Sequence, residues 1–169
     1  MSKTLTKPHE KTRIRGMFRL QIEEDGKIRG DSGWKENQIT NVGFLNIVNQ
    51  LGTGLTGSKV SYAALGTGTV PATTDTTLNG EVSTNGSGSV VRAALTCATS
   101  STSKTLNMTA TFSSSNSFIT ASANISNVGI FQTSGPITSS GSLMQGQTYT
   151  SSALATNQNV NLTYNLIFS

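Results

Sequence analysis

The chain has 169 residues, a formal net charge of +4, only 12% charged and 34% hydrophobic residues, and a single cysteine. That length suits one domain around one core. The lone Cys97 excludes an intrachain disulfide, and no apolar run is long enough to cross a bilayer as a helix.

Ser (23 residues), Thr (26) and Gly (17) fill the space that charge and hydrophobicity leave. Thr suits the pleated surface of a strand, while Ser, Gly and Asn suit turns. The composition therefore predicts many strands and short loops. Apolar residues recur at strand period, which argues against disorder despite the Ser/Thr content. Scarce charge fits a surface that touches protein, since interface cores are depleted in charged residues.

Residues 1–12 read as an extended basic N-terminal arm, polar, with Pro8 and no periodicity, and without the apolar core of a secretory signal. Lys3, Lys7, Lys11, Arg13, Arg15 and Arg19 oppose only Glu10 over the first 19 positions. Fully extended, the arm reaches roughly 40 Å, against a radius of gyration of about 15 Å for the body. It is therefore expected to reach a neighbouring subunit. Residues 13–169 form the domain.

Phe18, Leu20 and Ile22 alternate with Arg19, Gln21 and Glu23, the pattern of a half-buried strand. Asp25-Gly26 supplies a tight turn, and Lys27–Trp34 returns, with Trp34 expected as the aromatic anchor. Residues 40–51 are the helix: Thr40 or Asn41 caps it, and Val42, Phe44, Leu45, Ile47, Val48 and Leu51 form the stripe expected to face the sheet. Val60–Gly66 reads as a short strand and 67–79 as a loop. Further strands are expected where Val91, Ala93, Leu95 and Cys97 alternate, and where Leu106, Met108, Ala110 and Phe112 do. Others follow over Phe118–Phe131, with a bulge near Asn127-Val128-Gly129, over Leu143–Tyr149, and over Val160–Phe168. Roughly eight strands predict an all-β fold. The expectation is an antiparallel β-sandwich of jelly-roll type, with one short helix and the N-terminal arm.

Catalytic chemistry finds few residues here. The only histidine, His9, lies in the arm; a triad or a zinc site needs more. Cys97 is expected to pack as a small apolar side chain beside Leu95. Glu23, Glu24 and Asp25 cluster at a turn, where they cannot flank a sugar from opposite faces. Gly52 and Gly57 have phosphate-loop spacing, but Ser58-Lys59 reverses the required order. Arg29-Gly30-Asp31 matches an integrin-binding tripeptide, and reads here as the end of the hairpin. The expectation is a protein without enzymatic activity, cofactor or metal. The basic arm suits an acidic protein surface better than nucleic acid, because no stacking platform accompanies it.

The stretch Tyr62–Leu78 (YAALGTGTVPATTDTTL) resembles small virion structural proteins of tailed bacteriophages. So do the upstream Gly33–Asn41 (GWKENQITN), the late Ile125–Phe131 (ISNVGIF) and the closing Val160–Phe168. The similarity spans roughly residues 16–168 as a pattern of order and spacing. It implies a virion location, with assembly in the host cytoplasm. The basic arm favours a capsid decoration (cement) protein, one that binds the major capsid protein and itself as a homo-oligomer such as a trimer. Lys3, Leu5, Lys7, Lys11, Arg13, Ile14 and Arg15 would be the partner-binding residues. The alternatives are a tail, baseplate or fibre component, and a carbohydrate-binding jelly-roll module using Trp34, Tyr62, Tyr149 or Tyr164.

Overall fold

The computed structural model describes residues 13–52, 59–82, 92–116, 118, 122–134 and 143–169, with only the backbone of 151 and 152. The arm residues Lys3, Leu5, Lys7 and Lys11, with His9, lie outside these residues. So do Val91, the loop 53–58 and the turn at 85–88.

The fold is all-β with one helix, as its composition and periodicity predict. The elements are β1 (Ile14–Glu24), β2 (Lys27–Asp31), β3 (Lys35–Ile39), α1 (Asn41–Gly52), β4 (Tyr62–Gly66), β5 (Ala93–Ala94), β6 (Thr96–Ser100), β7 (Thr105–Phe112), β8 (Ala123–Phe131), β9 (Leu143–Leu154) and β10 (Asn159–Phe168). One antiparallel sheet runs β5-β4-β8-β9-β3-β1-β10-β7-β6, and β2 pairs with β1 outside that path.

Two short segments fold this sheet into a nearly closed, flattened barrel. Lys35 to Asn37 of β3 pair with β1, whereas Gln38 and Ile39 pair with β9. At the other seam Ala93 and Ala94 pair with β4, and Thr96 to Ser100 pair with β7. Only Leu95 separates β5 from β6, and its amide donates to the Ser61 carbonyl at 2.8 Å. Strands that change layer at a bend are how orthogonal sheets make their corners.

The hairpin turn is as predicted. Asp25 (φ 50°) and Gly26 (φ 72°) both adopt positive φ, the requirement of a type I′ turn. The interior is built from alternate residues: Phe18 and Leu20 from β1, Met108, Ala110 and Phe112 from β7, Leu162, Tyr164 and Leu166 from β10. Tyr164 is fully buried, and burial pushes its phenol up from the ordinary value. Its ring reaches over Gly16, where an added Cβ would lie 2.0 Å from the hydroxyl oxygen. The β8 alternation slips between Ile125 and Asn127, close to the predicted bulge. Beyond it Val128 and Ile130 face inward, while Phe131 faces the outside of the layer.

That outer face carries a second, smaller core. The segment 67–82 runs across β8 and β9, closing Leu78 over Ala64, Phe131 and Leu143. Asn127, fully buried, donates through Nδ2 to the carbonyls of Asn79 (2.9 Å) and Thr69 (3.2 Å). The Ser126 hydroxyl donates to the Gly68 carbonyl, and Asp75 accepts from the Ala72 amide within the segment. The Tyr62–Leu78 motif thus serves as a clasp. Arg92 completes it with a two-pronged ion pair to Glu81 (2.6 and 2.9 Å), over the Phe131 ring at 3.7 Å. The two side chains are only 3% and 0% exposed.

Removing one member of such a pair leaves a buried charge without a partner. Glu81→Ala is expected to destabilise the protein by about 3–5 kcal/mol, read from the denaturant midpoint. The double change Glu81→Leu with Arg92→Met should recover most of that loss.

Candidate interaction surface

Helix α1 is positioned by its first turn. Thr40 is fully buried; its hydroxyl accepts from the Gly43 amide at 3.0 Å, as an N-cap does. The same hydroxyl lies within donating distance of the Leu143 and Met144 carbonyls of β9, at 2.7 and 2.9 Å. At Gly43 a Cβ would come within 2.1 Å of the Met144 carbonyl oxygen. The helix backbone is therefore pressed onto β9 at a position that only glycine permits.

This contact fixes which way the helix faces. Gly43 and Asn46 are buried and Ile47 is half-buried, so the inward row is 43, 46 and 47. The opposite row is Phe44, Leu45, Val48 and Leu51, which are 45%, 59%, 62% and 84% exposed. The expectation that the stripe covers the sheet holds for Ile47, which packs on the core, and is corrected for Phe44, Leu45, Val48 and Leu51, which face solvent. Each row is a helix face by its spacing, 43, 46 and 47 at i, i+3, i+4 and 44, 48 and 51 at i, i+4, i+7, so spacing alone does not choose between them. The steric demand at Gly43 selects the one that hydrophobicity does not. No residue of α1 carries a charge.

Phe44 joins this face to the root of the arm. With Arg13, Ile14, Arg15 and Glu36 it lines an open groove of about 690 Å³. A smaller cleft of about 210 Å³ continues along Gly16, Asn37, Gln38 and Ile39. Arg13 is exposed and Arg15 forms an exposed ion pair with Glu36. Ile14 is half-buried against the molecule's own core. The structure thus brings Arg13, Ile14 and Arg15 together; Lys3, Leu5, Lys7 and Lys11 fall outside the described residues. The apolar face beside them was not anticipated as a surface, although its lack of charge was visible in the sequence.

The remaining surface is poor in charge. Beyond residue 36 the chain holds only Lys59, Arg92, Lys104, Asp75 and Glu81 as charged side chains, and Arg92 and Glu81 are buried against each other. The outer face of β10 and β7 is paired through neutral groups instead. Asn107 donates to Asn165 and Thr111 to Asn161, both at 2.8 Å.

Two expectations about single residues are corrected. Trp34 does not anchor the hairpin but is 45% exposed, because the turn through Gly33 (φ 63°) carries it off the barrel. Cys97 is exposed, not packed beside Leu95; β6 is exposed along its whole length. The Arg-Gly-Asp tripeptide lies in β2, where Asp31 is held by Arg19 and the Gly33 amide, and Arg29 pairs with Glu24 at 3.5 Å. Among the described residues no three His, Cys or acidic side chains gather in a way that could hold a metal ion. No helix is long and apolar enough to cross a membrane among those residues.

No protein-family model matches this chain, and neither the curated proteins nor the solved structures contain a significant match.

Hydrogen bonds from Arg19, then from the Gly33 amide, hold the Asp31 carboxyl well below its ordinary value of 3.8. A depressed carboxyl stabilises the fold above pH 3.8 and loses that contribution as acid protonates it. Arg19→Ala should raise the Asp31 midpoint toward 3.8 in a carboxyl-carbon NMR titration. A midpoint that stays low would remove Arg19 as the main cause.

Proposed function

We propose that this protein is a non-enzymatic structural component that works by associating with copies of itself and with a larger scaffold. One observation carries the reading: four large apolar side chains stand in a row on the solvent face of an uncharged helix. Monomeric surfaces rarely gather such side chains without a use for them. With no charge on α1 for a charged partner to match, the best complement is another apolar face. A second copy of the same helix provides one, in the isologous manner of most homo-oligomers. The neutral Ser, Thr and Asn surface supports the same reading, because interface cores are depleted in charged residues.

Within the resemblance to tailed-phage virion proteins, the reading takes the form of a capsid decoration protein. The apolar face and the Arg13–Arg15 groove would form the seat. The basic residues Lys3, Lys7 and Lys11, with Leu5, would extend the grip to acidic surface on an adjacent capsid subunit. A tail, baseplate or fibre component would use the same surface at lower copy number. Hundreds of copies per particle favour the capsid; a dozen or fewer favour the tail. Of the four rings weighed for a carbohydrate-binding module, only Trp34 stands exposed, and nothing else in the structure favours that reading.

Val48→Asp should leave folding stability within about 0.5 kcal/mol, since the position is exposed, yet shift the sedimentation coefficient from oligomer to monomer. A wild-type protein that sediments as a monomer at every concentration would defeat the self-association. Removing residues 1–12 should leave the barrel folded by circular dichroism and weaken co-sedimentation with capsids at least tenfold. Undiminished binding would exclude the arm from the grip.

A further inference from the structure

Helix α1 lies across one mouth of the barrel without filling it. Beneath its inner side is a cleft of about 290 Å³, walled by Ile47, Val60, Met108, Met144 and Leu166, and almost wholly apolar. Mouths of β-barrels are among the preferred places for small-molecule sites, and this volume lies near the lower end of their range, about 300 Å³.

Four polar side chains stand in the lining, Asn46, Gln50, Lys59 and Gln145, and Gln145 is the most deeply buried of them. Gln145 pairs in register with Ile39 and Ile130, so its side chain shares their inward direction. It is only 3% exposed, and its Oε1 has no hydrogen-bond partner among the described residues. A buried amide oxygen left unpaired is costly. A leucine or methionine would fill this position without that cost. The lining includes Lys59 and no carboxylate among the described residues, so a cation would find no counter-charge among these apolar walls. A carboxylate anion, though Lys59 could meet it, has no hydrogen to donate to the Gln145 Oε1.

We propose that this cleft binds a small, uncharged, mainly apolar molecule carrying one hydroxyl group, of the class of medium-chain aliphatic or aryl-alkyl alcohols. A hydroxyl donates to an amide oxygen and accepts from an amide nitrogen, so it satisfies Gln145 in either orientation. The apolar remainder lies against Ile47, Val60 and the thioethers of Met108 and Met144, whose flexible chains adapt to shape. A cavity of about 150 Å³ accommodates benzene; by proportion this one takes about a dozen non-hydrogen atoms. The inference uses the inner side of α1, and of the outer row only Leu51 also borders the cleft.

The test is a titration of the full chain, labelled at its methionine methyl groups, with 2-phenylethanol and separately with ethylbenzene. Both should give saturable NMR shifts at Met108 and Met144. Met17, on the outer face of β1, should not move. The alcohol should bind about fivefold to tenfold more tightly, the share of one added hydrogen bond. Gln145→Met, close in shape, should keep the hydrocarbon affinity and lose the preference for the alcohol. Val60→Trp, which fills the mouth, should abolish both. Unmoved Met108 and Met144 signals up to the solubility limit would overturn the proposal. So would equal affinities in the wild type, or a preference that survives in Gln145→Met. Should Gln145→Met not fold, the wild-type comparison decides alone.

Discussion

The closest approach of α1 to the barrel, the Met144 carbonyl against the Gly43 backbone, is the constraint from which both candidate surfaces follow. Because no side chain fits between them, the helix lies low over β9, with Thr40 bonded to the carbonyls beneath. That seating turns Phe44, Leu45, Val48 and Leu51 outward. It also leaves the inward row, built from a glycine, one amide and one isoleucine, too small to fill the barrel mouth. A helix seated by its apolar stripe would have neither an outward apolar face nor a cleft over Gln145.

The strands were legible because their information is local. Alternation in β1, β7 and β10 puts one face of each into a single core, and the Asp25-Gly26 turn requires positive φ that its two residues tolerate. What escaped the sequence depends on partners distant along the chain. β3 has only five residues and no alternation; it exists because β1 and β9 each claim part of it. The Ala93–Ser100 run alternates, yet it serves two layers, and Cys97, in register with Met108, is nonetheless exposed. The helix face was misread for the same reason, since a packing demand imposed by β9 is invisible in the spacing of the helix itself.

The candidate site was legible in its charges and not in its shape. Arg13 and Arg15 stand out in a chain with little other charge, and they do meet at one groove. Glu81 and Arg92 look equally available on paper. Both are spent inside the protein, where they fasten the 67–82 clasp over Phe131. The Tyr62–Leu78 motif has the same character: its glycines, Asp75 and Leu78 hold a covering segment in place.

At the corner where β1 begins, the backbones of Arg13 and Ser169 exchange hydrogen bonds in both directions. A passenger domain fused after Ser169 would therefore emerge beside the 13–15 groove and crowd whatever docks there. The Asp25-Gly26 hairpin tip, at the far end of an 11-residue strand, lies about 35 Å away at the usual rise per residue. Cargo inserted at that tip would leave the groove clear, which makes the hairpin the better mounting point for a display scaffold.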